Sequence, residues 1–294
     1  MQEKEDIKKE IEILEGKMTE VDFWNDKVQA QAIIKKIASL KDELLGKEKY
    51  NKGNAILSIL SGAGGVDAED FSGMLLRMYI KYFENKGWQV NLIHENKNDV
   101  GGYRNISIEI TGKGVYGILK NESGVHRLVR ISPFNAKSLR HTSFSLVEVV
   151  PKLEMNDKSV DIKQDDLKIE FSKSGGPGGQ NVNKRETAVR IIHIPTNISV
   201  HVTTERSQEQ NREKAMEILR GRLYKKEEED EIKKKAGLSP TKGTDIEWGS
   251  QIRSYVLNPY KMIKDNRTGV ETSDIDSVLL DGHIDSFIEA EKDL

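Results

Sequence analysis

The chain has 294 residues, 36% of them hydrophobic and 32% charged, with a mean hydropathy of −0.60 and a formal net charge of −2. No apolar run approaches the roughly 18 residues that a bilayer crossing needs, and the charged opening MQEKEDIKKE lacks the apolar core of a secretory signal. The absence of cysteine excludes disulfides, thiolate catalysis and zinc-finger ligation, and suits a reducing cytoplasm.

A chain of this length suggests about two to three domains. Residues 1–45 read as a helical hairpin. Ile33, Ile37, Leu40 and Leu44 form a narrow apolar seam at helical spacing, Ile7, Ile11 and Leu14 make a matching stripe, and Gly16 to Asn25 is expected to hold the turn. After a loop at 46–54 the texture changes. AILSIL reads as a strand and SGAGG as a loop, with Asp67 or Asp70 as candidate cap of a helix carrying Met74, Leu75, Met78 and Phe83. Segments 88–95, 104–111 and 143–151 alternate or are rich in β-branched residues, which predicts strands.

A fresh module begins near 160. LKIEF is a strand entering the glycine-rich segment SGGPGGQNVNKRE, and AVRIIHI, PTN and ISVHVTT make a hairpin whose turn carries proline and asparagine. A long helix follows over about 207–236 with Met216, Leu219 and Leu223 on one face, then the linker GLSPTKGTD. The tail, 245–294, is too small to hold a core alone and is expected to pack on the middle domain. The fold class is multidomain α+β. Two basic districts sit in this near-neutral chain: five Lys/Arg against Glu122 from Tyr116 to Ser145, and eleven against five Glu from Lys173 to Lys226.

Absent motifs narrow the chemistry. There is no GxxxxGK[ST] phosphate loop, no HExxH and no GxSxG, and none of the six histidines has zinc-ligand spacing to another, so neither metal nor cofactor is implied. In the glycine-rich segment Gly175, Gly176, Gly178 and Gly179 let the backbone approach a ligand closely. Gln180 offers a main-chain N–H and an amide that both donates and accepts. A backbone N–H aimed at developing negative charge is an oxyanion donor, worth roughly 2.7–4 kcal/mol. The competing reading is a flexible surface loop. In RISPFNAKSLRHTSF, residues 130–144, Pro133 stiffens the display of Ser132 and Phe134, and His141 and Thr142 follow. Hydroxyls and imidazole can bond base edges, and Phe and His can stack on bases; a half-buried Phe and a structural His would look the same.

GGQ at 178–180 together with SPF at 132–134 resembles the signature pair of the bacterial class I peptide chain release factors, in the branch that carries SPF rather than PAT or PVT. GVHRLVRISPF, RHTSFS, GGPGGQNVNKRETAVRIIHIPT, RSQEQNREKAM, WGSQIRSYVL and TGVETSDIDSVLLDG are similar to the same family, as is DFWND near the start. The likeness covers nearly everything from about residue 50 onward. It implies a protein of translation termination that recognises the stop codons UAA and UGA in the decoding centre and triggers hydrolysis of peptidyl-tRNA in the peptidyl transferase centre of the ribosome.

Carried over by position, Ser132, Pro133 and Phe134 would form the codon-reading loop, His141 would stack at the second and third bases, and Thr142 would bond the third. The GAGG loop and Asp67 would meet the first uridine, with Val66 where the family has threonine and Asp67 where glutamate is more common. Gly178 and Gly179 would permit the backbone turn that brings the Gln180 N–H to the tetrahedral intermediate, and Gln180 would be N5-methylated by a glutamine methyltransferase. Lys184, Arg185 and Arg190 would hold rRNA phosphates. Trp248, in the family's switch loop, would sense rRNA or serve as a buried anchor. The expected domains are 1–48 (a shortened N-terminal helical domain), 49–160 (codon recognition), 161–240 (GGQ) and 241–294 (switch loop and C-terminal segment). Roughly two helices' worth of N-terminal domain is missing relative to the family, which puts contact with the GTPase release factor in question. The rival is a codon-independent rescue hydrolase, which shares GGPGGQNVNK but is short and ends in a basic tail, whereas this chain carries SPF and ends DSFIEAEKDL. A non-catalytic ribosome binder would show an altered GGQ.

Overall fold

The computed structural model describes residues 50–153, 162–173, 186–205, 207–235 and 249–294, preceded by residues 13, 14, 16, 18, 30, 33, 36 and 37. They fall into two compact units, Met1–Lys52 and Gly53–Leu294. In the first, Leu14 and Ile37 are buried and Met18 and Ile33 pack against them, all four in helical conformation. The two apolar stripes thus meet. Gly16 and Met18 are helical, so the turn does not begin at Gly16 as its residue type suggested. A glycine inside a helix costs only about 1 kcal/mol against alanine, and Met18 contributes packing one turn beyond Leu14. Ile7, Ile11, Leu40 and Leu44 lie outside the described residues.

In the second unit the strands are β1 (Ala55–Ser61), β2 (Gln89–Lys97), β3 (Tyr103–Thr111), β4 (Gly124–Ile131), β5 (Arg140–Pro151), β6 (Leu167–Ser172), β7 (Ala188–His193), β8 (Ile198–Val202), β9 (Gln251–Val256), β10 (Met262–Asp265) and β11 (Glu271–Thr272). Eight of them form one sheet in the order β11-β10-β9-β4-β5-β1-β3-β2, and β6-β7-β8 form a second. Every described pairing is antiparallel except β4 with β9. Ala55, Ile56, Leu57 and Ile59 of β1 are all buried, the near-continuous apolar run of a central strand covered on both faces. The helices are α1 (Val66–Lys86), α2 (Val115–Leu119), α3 (Gln208–Lys235), α4 (Ile275–Leu279) and α5 (Asp285–Ala290).

Helix α1 buries Phe71, Leu75, Met78, Tyr79, Tyr82 and Phe83 at helical spacing and ends at Gly87, whose φ of 69° is the left-handed cap that glycine adopts without strain. Helix α3 buries Ala215, Ile218, Leu219 and Leu223, while Met216 is half-buried. The module of β6–β8 and α3 is held to the large sheet by polar contacts: Arg222 of α3 pairs with Glu148 at 2.7 Å, Lys152 lies 3.9 Å from Glu217 of α3, and the His94 ring lies 5.1 Å from that of His201.

The tail does more than pack against the sheet; its strands extend it. What fixes β9 there is Arg253, fully buried, which donates to Glu122 at 2.6 and 2.9 Å, to Asp265 at 3.4 Å and to Glu291 at 2.5 Å, and lies 4.6 Å over the Phe287 ring. Arg267 adds a bond to Asp265 at 2.8 Å. Two guanidiniums face three carboxylates, and one carboxyl answers the imbalance. Burial, with the Glu122 charge beside it, pushes Glu291 up to about 8, while Arg253 holds Glu122 below the usual carboxylate range against the effect of burial.

Removing the guanidinium leaves Glu122 buried without a counter-charge, while Asp265 and Glu291 keep Arg267, so Arg253→Met should lower stability by about 3–5 kcal/mol in urea unfolding. Because the folded Glu291 value lies above its unfolded one near 4.5, its contribution is complete below that value and is lost as pH rises towards 8. Glu291→Gln should therefore gain stability relative to the parent on going from pH 5 to pH 8, and an unchanged difference across that range would count against the assignment.

Candidate functional site

The pairing directions bring four connections to one end of the large sheet. β1 and β4 both run antiparallel to β5, and β9 runs parallel to β4, so the segments after β1 (62–65), after β4 (132–139) and after β9 (257–261) lie together, with the turn before β3 (98–102) beside them. The hydrogen bond from Leu257 N to Val129 O, at 2.8 Å, carries the β9 turn alongside the β4 turn.

The first of these segments needs glycine. Gly64 has φ of 132°, and a Cβ there would come within 2.8 Å of Ser143 Oγ; Gly65, with φ of 59°, is the N-cap of α1. Phe144 clasps the turn by donating from its N–H to Ala63 O at 2.9 Å and accepting from Gly62 N–H at 2.8 Å. Neither Asp67 nor Asp70 caps the helix, contrary to the sequence pattern: α1 has no side-chain cap bond. Both carboxylates are turned to Arg130 instead.

Asp67 is the hub. Its carboxylate, buried, accepts from Ser132 Oγ at 2.7 Å, His141 Nδ1 at 2.8 Å and Arg130 Nη2 at 3.0 Å. Arg130 also bonds Asp70 at 2.7 Å, and its guanidinium lies 5.9 Å from the centre of the Phe134 ring. Burial alone would raise the Asp67 pKa, but the bonds from Ser132, His141 and Arg130, with the Arg130 charge, hold it below the usual carboxylate range. A carboxylate only accepts, so Ser132 and His141 Nδ1 are both donors. The Ser132 oxygen also accepts from Phe134 N–H at 3.2 Å, which folds the turn back on itself.

Above this hub the surface is apolar and open. Phe134 is 44% exposed, with Val66, Ile131 and Leu139 also exposed around it. Pro133 and Thr142 are exposed too, and the Thr142 hydroxyl has no hydrogen-bond partner among the described residues. The structure therefore brings Asp67, Ser132, Phe134 and His141 together, but with Ser132 and Asp67 buried beneath the ring rather than displayed beside it. Arg130, Asp70 and Asn135, whose Nδ2 lies 3.1 Å from His141 Nε2, belong to the same cluster and were not legible in the sequence. Only the clustering of Lys/Arg near SPF hinted at Arg130.

The glycine-rich segment hangs from paired strands. Ser172 of β6 lies opposite Ala188 of β7, so 173–187 leaves and returns at one point. Its returning stem is pinned by Asn211, fully buried, which donates to Thr187 O at 2.8 Å and Glu205 O at 3.0 Å; Gln208 donates to Glu186 O at 2.8 Å. A lone asparagine on a charged helix gave no signal of this role. Arg190 is exposed on β7, 3.8 Å from Glu170. Gly178, Gly179, Gln180, Lys184, Arg185 and Trp248 lie outside the described residues. Among the described residues no cluster of three metal-ligating side chains occurs, and no helix is long and apolar enough to cross a membrane.

Comparison with known proteins gives matches along almost the whole chain. A PCRF domain model matches residues 3–147 and an RF-1 domain model residues 155–267. The chain is 43% identical to peptide chain release factor 2 of Thermosipho melanesiensis over 337 positions, covering 98% of this chain and 90% of the relative. It is 49% identical to that of Thermotoga petrophila over 257 positions, covering 87% and 69%. The solved structure of RF2 of Thermus thermophilus superposes with a TM-score of 0.70 at 42% identity, covering 91% of this chain and 75% of that one. The first alignment has 337 positions against 294 residues here, so at least 43 positions (337 less 294) of the relative face no residue of this chain.

Asp67 holds three donors of this cluster, so Asp67→Ala should cost about 1–3 kcal/mol in thermal or urea unfolding by stranding the Ser132 hydroxyl. Its pKa is depressed on folding, which means that the contribution is present above the unfolded value and is lost as pH falls through the folded one. Asp67→Asn should accordingly flatten the loss of stability below about pH 4.

Proposed function

Since the chain belongs to the class I peptide chain release factors, in the release factor 2 branch, we propose that this protein of translation termination reads UAA and UGA in the ribosomal A site and triggers hydrolysis of the peptidyl-tRNA ester. The observation that carries the reading is the exposed Phe134 over the Asp67, Ser132 and His141 hub, at the same sheet end as the glycine turn leading into α1.

Codon contact falls to Phe134, His141 and Thr142 at the surface, with Pro133 stiffening the turn. Asp67 and Ser132 set the turn from below. The Ser132 proton is committed to Asp67 and one lone pair to Phe134 N–H, so a second lone pair remains to accept from a base. The α1 N-terminus, with Gly64, Gly65 and the Asp67 backbone, meets the first base.

Ester cleavage belongs to the segment tethered at Ser172 and Ala188. Gly178 and Gly179 give the backbone its turn, the Gln180 N–H stabilises the oxyanion, and the Gln180 amide places water, since a neutral amide serves where ribosome and tRNA supply the remaining groups. Lys184, Arg185 and Arg190 meet rRNA phosphates, the last after release from Glu170, and Trp248 belongs to the switch loop. The division into 1–48, 49–160, 161–240 and 241–294 goes with this assignment. N5-methylation of Gln180 and an encounter with the GTPase release factor are further parts of the proposal.

A codon-resolved release assay with formyl-methionyl-tRNA in the P site tests it. Release is expected on UAA and UGA with little on UAG; equal release on UAG or on an empty A site would favour codon-independent rescue. Gly179→Ala is expected to abolish release with ribosome binding largely retained, because a β-carbon obstructs the backbone approach. Normal release by that variant would contradict the role given to the segment.

A further inference from the structure

Both ring nitrogens of His141 are occupied inside the protein. Nδ1 lies 2.8 Å from Asp67 Oδ2, an acceptor, so Nδ1 carries a hydrogen. Nε2 lies 3.1 Å from Asn135 Nδ2. Which end of the Asn135 amide faces the ring is settled by its other end: Oδ1 accepts from Lys137 N–H at 2.8 Å. Nδ2 is therefore a donor and Nε2 an acceptor, so the ring has one proton, on Nδ1. Asn135 also shapes the turn through its backbone, accepting from Ser138 N–H at 2.9 Å.

From this geometry we infer that Asn135 is a positioning residue for codon reading, holding His141 as the neutral Nδ1–H tautomer so that the ring meets RNA by its face alone. The inference rests on the proposal that His141 meets the codon. About a third of the His141 side chain, 37%, is open to solvent, and with both nitrogens engaged that surface has only carbon edges and a π-face to offer a base. Stacking of this kind tolerates any base. Discrimination at the base that His141 covers must then come from elsewhere, and the exposed Thr142 hydroxyl, next along β5 and on the opposite face of the strand, is a polar group free to supply it. His141 supplies grip and Thr142 supplies choice.

Charges around the ring do not replace Asn135 in this. Asp67 on α1 touches Nδ1; Arg130 on β4 acts through Asp67, and Asp70 on α1 through Arg130; Lys137 of the turn and Arg140 of β5 are exposed. Among the described residues, Asn135 alone addresses Nε2.

The test uses the full chain with ring-nitrogen labelling of histidine, the His141 signals being assigned by their loss in His141→Gln. The wild type is expected to show one protonated and one bare ring nitrogen at pH 7. Asn135→Asp keeps an oxygen for Lys137 N–H and so preserves the turn, but presents an acceptor to Nε2, and both ring nitrogens should then be protonated. Asn135→Ala should show a mixture of tautomers. In release assays Asn135→Ala should raise the ribosome concentration for half-maximal release on UAA by about tenfold, the lower end of what a lost base stack costs, at an unchanged saturating rate. A purely structural role predicts that Asn135→Asp matches the wild type in ring signals, and that result would overturn the inference. Changed ring signals with unaltered half-maximal release in Asn135→Ala would overturn its link to codon reading. Failure of the wild type to release at UAA would instead sink the functional proposal, with the ring signals still deciding whether Asn135 holds His141.

Discussion

A guanidinium cut off from water organises this protein. Arg253 joins β9 to the residues between α2 and β4 through Glu122, to β10 through Asp265 and to the last helical turn through Glu291. Its strand is the parallel neighbour of β4, and no local hairpin can set a parallel pairing. Burying such a charge is unfavourable unless every partner is in place. The arrangement thus makes the sheet position of β9 conditional on the end of the chain. His126 beneath it stays neutral, pushed down to about 4 by burial and by Arg253, accepting from Tyr255 and donating to Glu122 O.

That constraint reaches the candidate site through β4. The strand is flanked by β9 on one side and β5 on the other, and the SPF turn joins β4 to β5 at the end where the β9 turn also lies. Arg130, close to the end of β4, passes the order on by tying Asp67 and Asp70 of α1 to the base of the turn. The apolar surface around Phe134 is therefore mounted on a polar floor in which Ser132, His141 and Arg130 all bond Asp67. A surface ring over a buried carboxylate can be placed this firmly only because three donors converge on that carboxylate.

Asp67 also shows how local and tertiary demands compete. Its position near the start of α1 suits a cap or a favourable helix-dipole contact. The Gly65 backbone can start the helix without a side chain, which frees the carboxylate for Ser132 and His141. The glycines before α1 and the hub behind the SPF turn are thus parts of one arrangement. In the β6–β8 module the corresponding device is Asn211, a buried amide that binds backbone at the glycine-rich segment's return, Thr187, and in the connection from β8 to α3, Glu205.

Strand and helix identities were legible in the sequence because they follow from period: β1, β3 and β5, the long α1 and α3, and the hairpin of β7 and β8 all lie close to where alternation or helical spacing puts them. The two tripeptides and their flanks likewise announce the family, since such motifs are local strings. Spacing could not reveal that Asp67 abandons the cap, that Asn135 grips His141, or that Arg253 binds three carboxylates spread from residue 122 to residue 291. Those contacts depend on which strands lie side by side, and hydrogen bonds between side chains distant in sequence leave no periodic mark. Residue type and spacing determined the elements and the chemistry on offer; the parallel docking of β9 and the convergence of donors on Asp67 were decided only when the sheet closed around charges that had to be paired.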